Sequence, residues 1–164
     1  TGEFAGLVGT SGGKVNFGRP FTGRPTGVRF WYKYNSGKID YAQNGAPAKV
    51  GDWDQCDVKV ALGTWSSKKY GGSTSSPVQV NTTDKSTFWD YPALPETIAY
   101  QEFTKPANEA ATEWTQVTLQ LDYTNLTTTP AFIVVSCAAS RYGDYFTGYS
   151  DSKLYIDHFE LLYE

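Results

Sequence analysis

The chain has 164 residues and a formal net charge of −3 at pH 7, and its lysines and arginines are scattered, which argues against a nucleic-acid partner. No apolar run approaches the roughly 20 residues that a membrane-spanning helix needs, so we expect no transmembrane segment in this chain. Twelve Tyr, nine Phe, five Trp, 16 Gly and eight Pro indicate an all-β protein in which strands alternate with turns.

The first distinctive motif is "GRPFTGRPTGV", residues 18–28, in which two Gly-Arg-Pro triplets flank a Phe-Thr pair. Proline fixes φ and removes a backbone donor, so this segment is predicted to be an extended entry to the next strand and not a strand centre. Arg19 and Arg24 can each bind a carboxylate through two hydrogen bonds. We favour an internal partner, such as Asp144 or Asp157, and keep an acidic ligand as the alternative.

The next segment, "VRFWYKYN", has the two-residue period of a strand with one buried face. The inner face is predicted to hold Val28, Phe30, Tyr32 and Tyr34. Trp31 falls among the polar residues of the outer face.

Further strands are predicted along the rest of the chain. In "QCDVKVALG", one face is predicted to hold Cys56, Val58, Val60 and Leu62, opposite Asp57 and Lys59. The other predicted strands are "EWTQVTLQLDY", "PAFIVVSCAAS" and "SKLYIDHFELLY", and weaker candidates are "FAGLVG", "VQVNT" and "ETIAYQEFTK". These elements fit a single domain, residues 1–164, folded as a two-layer antiparallel β-sandwich, with a closed barrel as the second choice.

Two cysteines, Cys56 and Cys137, lie in apolar predicted strands, where a small buried side chain is the ordinary interpretation. We expect two free thiols. A disulfide bond, which needs Cα atoms within about 7 Å of each other, is the alternative. Two cysteines and one histidine offer no usable spacing for a metal site.

No motif for covalent catalysis is present. There is no G-x-S-x-G sequence, and the single histidine, His158, falls inside the predicted last strand. Glycoside hydrolysis needs two acids about 5–10 Å apart across a cleft, and no pair of acids stands out. The acids considered are Glu102, Asp144, Asp151, Asp157 and Glu160. We therefore expect that the chain is not an enzyme.

Three tryptophans are the first candidates for ligand binding. Trp53, Trp65 and Trp89 all follow or precede predicted strands and have polar neighbours. An exposed indole beside polar groups suits a sugar, because the ring stacks on the apolar face of the sugar while the polar groups bind its hydroxyls. The alternative is that each indole covers one end of the sandwich.

The segment "SRYGDYFTGYSDS" near the C-terminus is rich in aromatic residues. Tyr142, Tyr145 and Tyr149 are candidate partners of the tryptophans in ligand binding. Two glycine-containing turns and the flanking rings also suit a fixed structural loop. We favour that structural interpretation, with an ion pair between Arg24 and Asp144 joining the loop to the Gly-Arg-Pro motif.

Three stretches, "FGRPFTGRPTGVRFWYKY", "DVKVALG" and "CAASRYGDYFTGYSDSKLYIDHFELLYE", together resemble one family over residues 17–164. They look like the putative carbohydrate metabolism domain found at the C-terminus of surface lipoproteins in gut Bacteroidota. The resemblance implies a jelly-roll β-sandwich similar to carbohydrate-binding modules, with a glycan as the ligand. It also implies an exported protein at the bacterial cell surface or in the periplasm, anchored to the outer membrane through an N-terminal part absent from this sequence.

The same resemblance raises the question of a structural calcium ion. In jelly-roll sugar-binding modules, an Asp in the last strand often binds Ca²⁺ together with oxygens near the N-terminus, which here would be Asp157 and Glu3. The family usually has two adjacent acids at this point. The second is His158 in this chain, which weakens the expectation.

These observations lead to an expected function and its alternatives. We expect a non-catalytic glycan-binding module of a bacterial cell-surface protein, which binds by aromatic stacking and hydrogen bonds. The first alternative is a structural or adhesive module that packs on an upstream domain of the same protein or on a partner protein. The less favoured alternative is a glycoside hydrolase.

Overall fold

The computed structural model describes residues 2–4 and 12–163. Its strands are β1 (Gly2–Phe4), β2 (Gly13–Phe17), β3 (Arg19–Pro20), β4 (Gly27–Asn35), β5 (Gln55–Gly63), β6 (Val78–Asn81), β7 (Thr97–Pro106), β8 (Thr115–Gln120), β9 (Asp122–Tyr123), β10 (Phe132–Ala138) and β11 (Lys153–Leu162). The described residues also form one short α-helix, α1 (Ser67–Tyr70), and 3₁₀ turns at Lys85–Thr87, Tyr91–Ala93, Ala107–Glu109 and Gly143–Tyr145.

The strands predicted from the sequence within the described residues are all present. The predicted strand "FAGLVG" starts at the last residue of β1, and its remaining residues, 5–9, lie outside the described residues. The sequence patterns did not predict β2, β3 or α1. The helix α1 has only four residues, and it is capped by Gly71, whose φ of 77° is the left-handed conformation that glycine adopts readily.

The strands form three sheets, with the orders β1-β2-β6, β3-β10-β5-β7-β9 and β11-β4-β8. The pairs β1–β2, β2–β6, β3–β10, β7–β9, β4–β8 and β4–β11 are antiparallel. The predicted fold class, an all-β antiparallel sandwich, is confirmed. The jelly-roll order of the strands and the single domain remain predictions.

The chain divides into two compact units, each built from three segments. Unit 1 comprises Thr1–Arg24, Val60–Tyr100 and Asp122–Val135. Unit 2 comprises Pro25–Lys59, Gln101–Leu121 and Ser136–Glu164. Each unit has its own hydrophobic core.

In unit 2, residues of the β11-β4-β8 sheet pack against residues of β5 and β7 in one hydrophobic core. The inner face of β4 is the predicted one, since Phe30, Tyr32 and Tyr34 are at most 3% exposed. The Phe30 ring stacks on Phe159 with centroids 5.7 Å apart and meets Phe103 edge-on at 5.8 Å. Such aromatic pairs add to the stabilisation that comes from burial alone.

Strand β11 contains a β-bulge. Asp157 pairs with Trp31 and Glu160 pairs with Arg29, so three steps along β11 match two steps along β4. The extra residue is His158, which has a φ of 49°. A bulge of this kind increases the local twist and changes where the neighbouring side chains point.

The core of unit 1 is also aromatic. Its buried members are Ala61, Trp65, Tyr70, Val78, Tyr91 and Val134. Partly buried residues pack against them, and these are Phe17, Trp89, Leu94, Tyr100 and Phe132. The largest apolar side chains of this unit therefore point inward.

Both cysteines are free thiols, as the sequence predicted. Cys56 is fully buried in unit 2, and burial raises the pKa of its thiol to about 12. Cys137 lies at the surface of unit 2. In the part of the chain that the structure describes, no helix is long and apolar enough to cross a membrane.

Candidate functional site

The outer face of the β11-β4-β8 sheet carries exposed aromatic rings. The alternation of β4 buries Phe30 and Tyr32 and leaves Trp31 and Lys33 on the opposite face. Trp31 is 37% exposed. The sequence placed Trp31 on the outer face but did not select it as a binding residue.

Strand register brings two further rings beside Lys33. Tyr155 of β11 lies directly opposite Lys33 and is 53% exposed. Trp114, which precedes β8, is 42% exposed, and its ring centroid lies 5.2 Å from Lys33 Nζ. A cation over an indole ring at this distance is attracted by the ring's electrons and orients it. We call the set Trp31, Lys33, Trp114 and Tyr155 the aromatic face.

Polar side chains flank Trp31 on both neighbouring strands. Asp157 lies directly opposite it on β11 and Gln116 directly opposite it on β8, and both are exposed. In the adjacent row, Arg29 forms an ion pair with Glu160 that lowers the pKa of the Glu160 carboxyl.

This arrangement has the chemistry of a surface that binds a polyhydroxylated ligand. The rings offer flat apolar faces, while the amide and the carboxylate offer donors and acceptors beside them. Apart from Trp114, which directly precedes β8, the residues sit on adjacent strands of one sheet, which holds their relative positions more rigidly than a loop would. Sequence periodicity alone could have identified Trp31, but Trp114 and Tyr155 depend on strand register.

Trp53, the first tryptophan that the sequence selected, is 45% exposed in unit 2. It pairs with Lys38 through an isolated β-bridge, and Lys38 Nζ lies 5.3 Å from its ring centroid. Its exposure is compatible with ligand binding. The segment that carries it is irregular, unlike the strands of the aromatic face.

Trp65 lies in the core of unit 1 and is 1% exposed. Its Nε1–H donates to Thr97 Oγ1 at 3.2 Å, and Tyr91 packs edge-on against it at 5.4 Å. A Cβ on Gly63 would lie 2.5 Å from the indole, so the absence of a side chain there makes room for the ring. Because no face of the ring reaches solvent, Trp65 cannot stack on a ligand, and we exclude it from the site.

Trp89 is half-buried in unit 1. Its Nε1–H donates to the Gln79 carbonyl at 2.7 Å, and its ring meets Tyr70 nearly at right angles with centroids 5.0 Å apart. The polar end of this indole is therefore already bound within the protein. A ligand role for Trp89 remains a prediction.

The tyrosine loop, which we define as residues 139–152, is held by the buried carboxylate of Asp54. This side chain is 1% exposed. Its Oδ2 accepts hydrogen bonds from the hydroxyls of Ser140 and Ser152, both at 2.6 Å, and from the Tyr149 N–H at 2.9 Å. The carboxylate thus replaces water for three donors of the loop, which fixes the loop as part of unit 2.

The three tyrosines of the loop are half-buried. Tyr142 and Tyr145 meet edge-on with centroids 6.5 Å apart. The Tyr149 ring lies 3.3 Å from where a Cβ on Gly37 would stand, so glycine leaves the room that the ring needs. These contacts agree with the structural interpretation of the loop, and ligand binding by its tyrosines remains a prediction.

The predicted ion pair between Arg24 and Asp144 is wrong. The Arg24 guanidinium donates instead to the carbonyl oxygens of Thr128 and Asn125, at 2.5 and 2.9 Å. Its Cζ also lies 4.7 Å from the ring centroid of Tyr123. The donors of this arginine are therefore bound by backbone carbonyls, which the sequence could not indicate.

A cluster of charged side chains in unit 2 was not recognised from the sequence. Lys59 Nζ lies 2.8 Å from Asp57 Oδ2 and 3.9 Å from Glu102 Oε1. Arg141 Nη2 lies 3.0 Å from the same Glu102 oxygen. We call Asp57, Lys59, Glu102 and Arg141 the charged cluster. Alternation had predicted Asp57 on an outer face, but it is 5% exposed.

Burial raises the pKa of the Asp57 carboxyl, Lys59 opposes this rise, and the negative charge of Glu102 adds to it. The Oδ1 atom of Asp57 has no hydrogen-bond partner among the described residues. Burial also raises the pKa of Asp144 on the tyrosine loop, and Lys59 again opposes the rise. Perturbed carboxyls can mark an active site, but ion-pair networks perturb them too.

Comparison with known families decides the family of this chain. The sequence matches the family described as "Putative carbohydrate metabolism domain" over residues 1–162. The chain belongs to this family. No curated protein matches the sequence significantly.

Two solved structures from Bacteroides resemble this putative carbohydrate metabolism domain. One is titled a putative glycoside hydrolase from Bacteroides thetaiotaomicron VPI-5482, with a TM-score of 0.66 and 20% sequence identity, and the match covers 94% of this chain and 47% of the other. The second is titled a putative glycoside hydrolase from Bacteroides vulgatus ATCC 8482, with a TM-score of 0.57, 21% identity, and coverage of 90% and 55%. The chain therefore spans about half the length of these structures. At such low identity the likeness concerns the fold.

The titles of these neighbours make the spacing of carboxylates relevant. A glycoside hydrolase places its two carboxyls about 5–10 Å apart on either side of the bond that it cleaves. In the charged cluster, the Lys59 ammonium contacts both Asp57 and Glu102, and Arg141 contacts Glu102 as well. The Asp57 and Glu102 carboxyls also interact directly with each other, so the two acids and the two cations form one ion-pair network.

Of the two residues considered for calcium, only Asp157 has a side chain that the structure describes. Asp157 Oδ1 accepts from the His158 N–H at 2.8 Å, and its Oδ2 lies 3.1 Å from His158 Nδ1. The side chain of Glu3 lies outside the described residues. Among the side chains that the structure describes, no group of three or more His, Cys, Asp or Glu residues could hold a metal ion. Calcium binding by Asp157 and Glu3 stays a prediction.

Proposed function

We propose that this domain is a non-catalytic glycan-binding module and that the aromatic face holds the sugar. The observation that carries the proposal is the exposure of Trp31, Trp114 and Tyr155 on one side of one sheet. Membership in a carbohydrate metabolism family points to the same class of ligand.

The chemistry of a sugar fits this surface better than that of a purely apolar ligand. A pyranose ring presents C–H groups on its faces and hydroxyls around its rim. The rings of the aromatic face can cover the C–H groups, and Gln116 and Asp157, which flank Trp31, can bind the hydroxyls. Arg29 and Glu160 extend the polar border along the strands.

The remaining residues selected from the sequence stay secondary candidates for the same function. Trp53 is exposed and belongs to unit 2. The other secondary candidates are half-buried, and they are Trp89, Tyr142, Tyr145 and Tyr149.

Calorimetric titration with a panel of plant and host oligosaccharides tests the proposal. We expect at least one glycan to bind. Trp31→Ala should weaken the binding of that glycan by about tenfold or more, because truncation of a central aromatic residue removes a large share of the binding energy. Tyr41→Ala is a matched control, since Tyr41 is 59% exposed in unit 2 but lies outside the aromatic face. Absence of binding by every glycan, with a folded sample, would contradict the proposal.

A structural or adhesive module remains the second candidate, because exposed aromatic residues also occur in protein interfaces. The chain spans about half the length of the solved structures that it matches, which leaves room for a neighbouring domain in the longer protein. Under this alternative, Trp31→Ala would weaken association with the neighbouring domain or partner and leave every glycan titration unchanged.

The hydrolase alternative has a direct assay. Incubation of the domain with the glycan that it binds, followed by measurement of new reducing ends, should give no release above the protein-free reaction. Release that is lost in Glu102→Gln would instead assign catalysis to the charged cluster.

We further propose that the protein is exported by a member of the Bacteroidota. It would be a lipoprotein at the outer membrane, or lie in the periplasm, and would be attached through sequence outside this chain. The family and the Bacteroides origin of the two neighbours support this proposal. Protease treatment of intact cells that make the full protein tests it, since a surface domain would be digested and a periplasmic one would be protected.

A further inference from the structure

Unit 1 contains a cleft of about 420 Å³ that the proposed function does not use. Its lining includes Asn16, Phe17, Arg19, Ser73, Ser75 and Val135. Arg19 is the only charged side chain among the described residues that line it. The volume is within the range of sites that hold small ligands.

Arg19 belongs to the first of the two Gly-Arg-Pro triplets, and its state differs from that of Arg24 in the second. Arg24 donates to the Thr128 and Asn125 carbonyls and covers the Tyr123 ring. The Arg19 side chain is exposed and makes no hydrogen bond or ion pair with any residue that the structure describes. The second arginine therefore has a structural role, while the guanidinium of the first remains available.

The backbone around Arg19 is held by strand pairing with β10 and by the close approach of Gly18 to Pro77. Arg19 pairs with Ile133 of β10, another residue of the cleft. Gly18, which precedes it, has a φ of 104°, and a Cβ there would lie 2.9 Å from Pro77 Cδ. The guanidinium is thus presented from a strand whose position is set by neighbouring backbone.

The serine wall of the cleft is held in place as well. Ser76 Oγ donates to the Gly18 carbonyl at 2.9 Å, and the Ser76 N–H donates to Ser73 Oγ at 3.1 Å. Asn16 also lines the cleft, and its Oδ1 accepts from Gln79 Nε2 at 2.9 Å. The Asn16 amide nitrogen keeps its two donors, which have no partner among the described residues.

We propose that this cleft binds an acidic sugar, a uronic acid unit, with its carboxylate on Arg19. A planar guanidinium binds a carboxylate through two parallel hydrogen bonds, which a neutral sugar cannot accept in the same way. The serine hydroxyls and the Asn16 amide match sugar hydroxyls. Phe17 and the 41%-exposed Val135 offer apolar surface for the C–H groups. The choice of a sugar rests on the proposed function, whereas the choice of a carboxylate rests on Arg19 alone.

Titration with trigalacturonic acid and triglucuronic acid, followed by amide NMR and calorimetry, tests this inference. We expect at least one of them to bind, with shifts at residues of the cleft, and its methyl ester to bind at least tenfold more weakly. The ester keeps every hydroxyl, removes the negative charge and adds one methyl group at each carboxyl. Equal binding of acid and ester, or shifts confined to residues outside the cleft, would overturn the inference.

Variants separate the cleft from the aromatic face. Arg19→Gln should weaken binding of the uronic acid trimer by about tenfold to a hundredfold, as expected for loss of a charge-assisted hydrogen bond. Lys68→Gln, an exposed charge in unit 1 outside the cleft, makes the same change in net charge and should leave binding unchanged. Trp31→Ala should also leave binding of the acid unchanged, so failure of the glycan proposal at the aromatic face and failure here are distinguishable.

Titration with a sulfated trisaccharide tests whether the cleft prefers a carboxylate or a sulfate group. We expect it to bind more weakly than the uronic acid trimer to the unmodified chain. Equal or tighter binding of the sulfated sugar would overturn the assignment to a carboxylate.

Discussion

The aromatic face and the tyrosine loop both belong to unit 2 and are both rich in aromatic residues, but their rings are used in different ways. On the aromatic face, Trp31, Trp114 and Tyr155 are between 37% and 53% exposed. In the tyrosine loop, the rings pack against each other or against backbone, and Asp54 binds three donors of the loop. The density of aromatic residues in a segment therefore does not indicate which rings can meet a ligand.

The difference has a simple structural origin. In a strand, successive side chains point to opposite faces, so a ring between two buried residues must point outward. In a compact loop, the chain reverses direction and each ring can be buried by its own neighbours. Substitutions in the two regions should accordingly affect different properties, binding for the aromatic face and stability for the loop.

The largest effect is expected at Asp54. Asp54→Ala leaves several buried donors of the tyrosine loop without an acceptor, so the free energy of unfolding should fall by about 3–5 kcal/mol. Denaturant unfolding measures this change. Asp151→Ala is the control, because Asp151 is 67% exposed and pairs with Lys153 at the surface, and its loss should cost less than about 1 kcal/mol. Similar losses for both variants would mean that Asp54 does not hold the loop.

Two tyrosines offer a matched test of binding. Tyr155→Ala on the aromatic face should weaken the best glycan by roughly tenfold, since an exposed stacking ring is removed. Tyr145→Ala in the tyrosine loop should change the same dissociation constant by less than about twofold. Calorimetry of both variants, after their folding has been checked by circular dichroism, provides the comparison. A larger loss for Tyr145→Ala would reverse the roles assigned to the two regions.

The charged cluster, which includes Arg141 of the tyrosine loop, should make stability depend on pH. Because the pKa of Asp57 is raised in the folded state, ionisation of this carboxyl opposes folding. The stability that the protonated carboxyl contributes is complete below the ordinary aspartate pKa of about 4, and it is lost as the pH rises through the raised pKa of the folded state. Asp57→Asn should therefore stabilise the domain at pH 7, by about 1–2 kcal/mol, and have a smaller effect near pH 4.

Unfolding of both proteins at several pH values measures this difference, with the exposed Asp151→Asn as control. A stabilisation that does not depend on pH would show that the Asp57 carboxyl is ionised throughout. Destabilisation at pH 7 would show that the pair with Lys59 outweighs the cost of burying the charge.

The smallest effect is expected at Lys33. Lys33→Gln removes the cation that lies 5.2 Å from the Trp114 ring, which should cost about 0.5 kcal/mol of stability. The freed indole should also lose some of its fixed orientation, so glycan binding should weaken by roughly twofold. Thermal unfolding and calorimetry check the two effects. Tighter glycan binding by Lys33→Gln would show that the ammonium competes with the ligand for the ring.

Much of the fold could be predicted from the sequence, but less of the candidate site could. Period-two alternation predicted β4 and its buried face, because a strand with one face in a core must alternate. It also placed Trp31 outside. The pairing of Tyr155 with Lys33, and hence the aromatic face, follows from the register between β4 and β11, which joins residues more than 100 positions apart.

The charged cluster shows why alternation was not sufficient. Asp57 alternates with buried residues of β5 and was predicted to face outward, yet it is 5% exposed. The Arg141 N–H, at the start of the tyrosine loop, donates to the Gln55 carbonyl at 2.7 Å, so the loop approaches this end of β5. Both faces of β5 are covered here, and a residue opposite the core is buried as well.

By itself the sequence determined most of the strands, the inner face of β4 and the family, because these depend on local periodicity and on long contiguous motifs. Tertiary structure decided which of several similar side chains are available to bind a ligand. Trp65 is enclosed because Gly63 leaves room for its ring, whereas Trp31 is exposed. Arg24 is bound by the carbonyl of Thr128, 104 residues along the chain, and Arg19 in an identical triplet is not. Only the folded chain brings such distant atoms together, and their contacts decide which groups can meet a ligand.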